Sequence, residues 1–150
     1  MGEYNPTGML LTGIAQLLDL KQVGVYRTDA PYVASDTAII MKTMPDSPDR
    51  CIVLNYLPML AIPDQAHNSG LLQIACRGMP GIPLDSDNLA DACDQWLDGL
   101  TQYQLGESCT LNQCYMRNGV NLGQDEAERW ITTIQYNVDV DTPQTALRNQ

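Results

Sequence analysis

The sequence predicts one α+β domain over residues 1–150, built on a mixed, mainly antiparallel sheet of four to five strands. Two helices pack on one face of that sheet, and a C-terminal β-hairpin completes it. Three observations carry this. Apolar residues recur with a helical period after the N-terminus and again near residue 90. β-Branched and apolar runs bounded by Gly and Pro lie between and after those helices. The strand-like runs follow one another instead of alternating strictly with helices, which favours an antiparallel or mixed sheet. A length of 150 residues fits a single domain.

Thr7 is placed to cap a helix over 8–20, where Leu10, Leu11, Ile14, Leu17 and Leu18 fall on one face. Val23-Gly24-Val25-Tyr26 predicts a short strand, and residues 37–43 a short apolar run that is a strand or the start of one. Pro45 to Asp49 is turn chemistry, with two prolines. Arg50 to Tyr56 predicts a core strand, Leu57 to Ser69 a Pro-containing loop, and Leu71 to Arg77 a further strand closed by Gly78 to Gly81. Asp85 or Ser86 caps a second helix over 86–103. Leu89, Ala92, Cys93, Trp96, Leu97 and Leu100 lie on its inner face, and Asp87, Asp91, Asp94 and Asp98 on its outer one. The hairpin is predicted as Thr110–Arg117, a long turn through Asn118, Gly119 and Gly123, then Ala127–Val140. In that last strand Trp130, Thr132, Ile134, Tyr136, Val138 and Val140 should meet the helices. Arg129, Ile131, Thr133, Gln135, Asn137 and Asp139 should point the other way. The segment after Asp141 is expected to fray.

The composition excludes more than it assigns. Eighteen acidic residues against 8 basic ones leave a net charge of −10, which repels phosphate backbones and anionic membranes. The five cysteines are scattered without a CxxC pair, and His67 is the only histidine, so no zinc-ligand pattern or Cys/His pair assembles. Free buried thiols in a reducing compartment are the expectation. The N-terminus lacks a basic leader and no apolar run is long enough to span a bilayer, so a soluble chain made in the cytoplasm is expected. No phosphate-cradling loop or nucleophile elbow appears. No cofactor and no metal are expected.

Two acidic groups remain open to more than one reading. The stripe Asp87, Asp91, Asp94, Asp98 is the solvated side of a helix, or a surface that faces DNA without holding it, or one that meets a basic partner. Asp125, Glu126 and Glu128 cap a hairpin turn, or form the carboxylates of a small hydrolase. The cluster lacks the alternating ligand spacing of an EF-hand. An acidic adaptor that mimics DNA is a third possibility.

The C-terminal hairpin carries a resemblance. Leu122-Gly123-Gln124-Asp125-Glu126, then Arg129 and the alternating strand WITTIQYNVDV, resembles the tail terminator family of long-tailed bacteriophages, catalogued also as minor capsid proteins. A strand ending in Arg77-Gly78 is followed by a proline loop and a helix with Leu97, Gly99 and Leu100. That segment, and an opening helix leading to Gly24-Val25-Tyr26, are similar to the same family. The resemblance spans about residues 8–140 and lies in element order and loose motifs. It departs from the family at the long Pro-containing loop 57–69 and in lacking Phe. It implies a non-catalytic virion protein at the head–tail junction, forming a hexameric ring that caps the tail tube and meets the neck or head-completion proteins, with DNA passing through unbound. Another neck connector is the neighbouring possibility. Within this reading Ile131, Thr133, Gln135 and Arg129 are the candidate subunit interface, and Asp87, Asp91, Asp94 and Asp98 the candidate DNA-facing surface.

Overall fold

The structure, a computed structural model, describes residues 5–61, 67–106, 108–142 and 147. Its elements run α1 (Pro6–Leu20), β1 (Ala38–Met41), β2 (Cys51–Ala61), β3 (His67–Arg77), α2 (Asp85–Leu97), β4 (Leu100–Gln104), β5 (Thr110–Gln124) and β6 (Trp130–Asp141). They form one mixed sheet in the order β1-β2-β3-β6-β5-β4. β1 and β2 run parallel, and every other neighbouring pair is antiparallel. The α+β class and the two helices on one face match the sequence expectation, but the sheet has six strands, not four to five.

Helix α1 begins with Pro6 in its first turn after Asn5, not with a Thr7 cap. Proline suits that position because its missing N–H has no intrahelical partner anyway. Its apolar stripe packs on β1 and β2, while α2 packs on β3, β6 and β5. Leu10, Ile14 and Leu18 of α1 share one core with Leu89, Cys93 and Leu97 of α2 and with Ile52, Leu72, Ile74, Ile134, Tyr136 and Val138 of the sheet. Beyond β4, at the opposite sheet edge, Leu105 also reaches α1, where it lies so close to Gly13 that a Cβ there would stand 2.6 Å from Leu105 Cδ2. Both edges of the sheet therefore curl toward the same helix.

Four boundaries differ from the sequence expectation, each for a physical reason. Val23–Tyr26 is not a strand: only Val25 bridges to Ala38. The second helix stops at Leu97 instead of 103. Gly99, at φ +85, turns the chain, and Leu100–Gln104 becomes β4, a strand absent from the sequence reading. Residues 57–69 are not one long loop, because β2 continues through Pro58 to Ala61 and β3 starts at His67. The tip between them and the His67 side chain lie outside the described residues, as does most of the segment after Thr142. Asn118-Gly119 is strand, not turn, because bulges at Met116/Asn118 and Asn121/Gly123 absorb those residues within β5. The turn falls at 125–129, where Asp125 Oδ1 accepts the N–H groups of Ala127 and Arg129.

Candidate assembly surface

The helices cover one face of the sheet and leave the other partly open. Directly opposed residues share a face, so strand register groups the open-face residues of β2, β3, β6 and β5 into rungs. These are Cys51-Arg77-Ile131-Gly123, Val53-Ala75-Thr133-Val120, Asn55-Gln73-Gln135-Asn118 and Leu57-Leu71-Asn137-Tyr115. The β2 end of the first two rungs is covered. Cys51 and Val53 are buried in a second small cluster with Ala38, against which Tyr32, Ile40, Met44 and Ala75 pack.

The single charged residue in these rungs is Arg77, which is 3% exposed. Its guanidinium donates to the carbonyl oxygens of Pro48 and Asp49 at 2.9 and 2.8 Å. The remaining open area of these four rungs consists of amides and apolar side chains: Asn55, Gln73, Gln135, Asn137 and Asn118 with Leu57, Leu71, Tyr115 and Val120. The next rungs along the same face carry Asp139, which accepts from Ser69 Oγ and Gln113 Nε2, and the exposed Asp141, so acid enters at that end. In a chain of net charge −10, a stretch of sheet face from Ile131 to Asn137 whose one charge is the buried Arg77 has the composition of a protein contact, since charged residues are depleted at interface centres.

Three of the four sequence-nominated contact residues come together here. Ile131 and Gln135 are half-buried, and Thr133, 7% exposed, donates its hydroxyl to Val120 O. Arg129 does not join them. It lies in the turn before β6, 8% exposed. Its Nε donates to Asp125 Oδ2 at 2.9 Å, and its Nη1 donates to Asp46 O at 2.7 Å and Asp49 Oδ1 at 3.1 Å. Burial alone would raise the Asp125 carboxyl. The bonds from the Arg129 backbone N–H and guanidinium outweigh it and hold that carboxyl below the usual carboxylate range. Gly81 and Gly78 donate to Glu128 O and Trp130 O, so the hairpin end is tied to the body of the domain. Leu57 and Val120 escape the sequence reading because it places them in a loop and a turn, and Tyr115 because it lies in the predicted strand Thr110–Arg117 whose outward face nothing local marks as a contact. The signal that could have found them is the shortage of charge from residue 115 to 124.

The α2 carboxylates are only partly free. Asp87 accepts from Thr132 Oγ1, Asp94 from Tyr136 Oη, and Asp98 from the Met116 N–H, each at 2.8 Å. Asp91 is exposed. Trp96, expected inside, is 37% exposed, with Lys21 Nζ 4.5 Å from its ring centroid. All five cysteines are free and buried, and burial pushes the thiols of Cys109 and Cys114 up to about 11 and about 12. Thiols held that high are poor nucleophiles.

A family model described as bacteriophage tail terminator protein matches residues 17–142. No curated protein sequence matches the chain. Among solved structures, a chain from the virion of a native gene transfer agent particle superposes with a TM-score of 0.66 at 15% identity, covering 93% of this chain and 99% of that one. At that identity the likeness is one of fold.

Proposed function

From the premise that the chain belongs to the bacteriophage tail terminator family, we propose that it forms a closed hexameric ring that ends the tail tube and joins it to the head–neck proteins. The chain is a structural protein of the virion tail, not an enzyme. The observation that best supports a ring is the charge-poor stretch of the open sheet face from Ile131 to Asn137, which ends at Asp139. A subunit that closes a ring uses two different patches of its surface, each meeting the other on a neighbour. Ile131, Thr133 and Gln135, together with Leu57, Tyr115 and Val120, supply one such patch. Arg129 acts behind it, holding the turn from which β6 starts. The acidic side of α2 is suited to a wall past which DNA moves, because carboxylates give phosphates nothing to hold.

The test is tube growth in vitro. Purified chain added to polymerising tail tube protein should shorten the tubes, with a six-fold ring at one end in electron micrographs. Tubes of unchanged length, with the chain bound instead to neck proteins, would replace this reading with that of a neck connector.

A further inference from the structure

The sheet treats its outer edges unequally. Unpaired strand edges invite pairing with another chain, and proteins blunt them with prolines, charges, side-chain caps or short covering strands. Here the β1 edge is met by Val25, whose N–H donates to Thr37 O and whose carbonyl accepts the Ile39 N–H. Where β1 ends, Lys42 donates to Leu54 O, Asn55 Oδ1 takes the Tyr56 N–H, and Pro58 has no N–H to offer. On the far side β4 covers Thr110–Cys114 of β5 and is itself short, with Gln102 at φ +50. Asp98 then takes the Met116 N–H.

From Arg117 to Gln124 this protection stops. Among the described residues no strand lies outside that stretch, which has neither proline nor acid, and Arg117 is its one charge. The side chain of Asn121 takes the Gly123 N–H. The two bulges add twist but remove no donor. Tyr115 to Leu122 are eight consecutive exposed residues, among them Tyr115, Met116, Val120 and Leu122 at 48–60% exposure.

We propose that the Arg117–Gln124 edge of β5 takes an extended backbone segment of a second copy of this chain. The inference rests on the ring reading and names the strand through which the ring closes. Two arguments select another copy as the occupant. Copies of a chain at −10 repel one another over most of their surface, and this edge, with Arg117 and no acid, is where that repulsion is weakest and an acidic neighbour is attracted. The edge is also continuous with the acid-free end of the open face, because Asn118 and Val120 belong to both. A neighbour pairing here would gain main-chain hydrogen bonds along the edge and cover apolar side chains beside it.

Val120→Asp combined with Leu122→Asp places two charges on exposed positions, so the monomer should keep its melting temperature within a few degrees. Sedimentation at a concentration where the unaltered chain forms rings should then show monomer. In parallel, hydrogen exchange should slow by at least tenfold in the ring, relative to the monomer, for the amides of 117–124 that point away from β6. A ring formed equally well by the double variant, or edge amides that exchange equally fast in ring and monomer, would overturn the edge proposal and leave the ring reading standing. Protection that appears only on adding tail tube protein would assign the edge to that protein and also overturn it. An unaltered chain that stays monomeric at all concentrations, with tube protein present, would remove the ring reading and the edge together.

Discussion

Arg129→Ala should cost the isolated subunit about 2–4 kcal/mol, a figure that follows from its three side-chain bonds. Hydrogen bonds to charged groups contribute about 1.5–3 kcal/mol each when sheltered. The bonds to Asp125 and to Asp46 O are sheltered, since the Arg129 side chain is 10% and the Asp125 side chain 23% exposed. The bond to Asp49, whose side chain is 41% exposed, is discounted to about 1 kcal/mol or less for solvent screening. Some of the sum is recovered as water replaces the guanidinium at the rim. For a domain of this length, a loss of that size lowers the melting temperature by about 5–15 °C.

The assay is urea unfolding, read as a lower midpoint at unchanged slope. Arg129→Lys should recover less than half of the loss, because a lysine keeps the charge but cannot reproduce the forked geometry. A double-mutant cycle with Asp125→Asn should return a coupling of about 1–2 kcal/mol. The linkage sign also follows. The Asp125 carboxyl is depressed in the folded state, so its contribution is present above the unfolded value of about 3.9. It is lost as pH falls through the lower folded value, and the gap between unaltered chain and Arg129→Ala should narrow in acid. A loss below about 1 kcal/mol, or full rescue by lysine, would refute the assignment of Arg129 to holding the turn.

Four further variants test the packing. Gly13→Ala gains about 1 kcal/mol of helix propensity but forces a methyl against Leu105 at 2.6–3.0 Å. Overpacking of about 1–3 kcal/mol should win, and calorimetry should show a lower melting temperature. Ile134→Asp buries an unpaired charge at a position 6% exposed and should abolish cooperative unfolding. Ile131→Asp, on the half-buried open face, should leave circular dichroism unchanged while ring formation fails; unfolding by both would mean that face is core. Tyr136→Phe removes the donor to Asp94 and should cost about 1 kcal/mol by denaturant midpoint, with no effect on assembly.

The sequence shows what depends on period, and conceals what depends on pairing. The stripe of α1 and the alternation of β6 were legible because each is long enough for its inward residues to repeat: Leu10, Ile14 and Leu18, or Ile134, Tyr136 and Val138. Leu100–Gln104 was absorbed into the preceding helix because Leu97 and Leu100 stand at helical spacing. Only the positive φ of Gly99 distinguishes a turn there. Asn118-Gly119 carries the strongest short hairpin signal in the chain, yet β6 is long enough to hold β5 extended past it. Arg129 was assigned to the alternating face on parity alone, while its partners Asp46 and Asp49 lie about 80 residues away and no local pattern announces them.

The charge pattern of the sequence becomes sharper once donors are assigned. Several carboxylates in the loops and at the start of α2 are matched by arginines: Asp36 by Arg27, Asp85 in the first turn of α2 by Arg50, and Asp49 and Asp125 by Arg129. The acids further along α2 and at its C-terminal end are treated differently. Asp87, Asp94 and Asp98 accept from a threonine, a tyrosine and a backbone amide, which are neutral donors that orient a carboxylate without cancelling its formal charge. Among the described residues no cation lies within ion-pair distance of these three or of Asp91. Unpaired negative charge therefore gathers on the α2 side, opposite the charge-poor Ile131–Asn137 stretch of the sheet face. Oligomerisation through the sheet face and edge should consequently be only weakly sensitive to salt, whereas any contact made by α2 should be strongly so. If ring assembly instead strengthens steeply with ionic strength, the acidic layer lies between subunits, and the helix side, not the sheet, faces the neighbour.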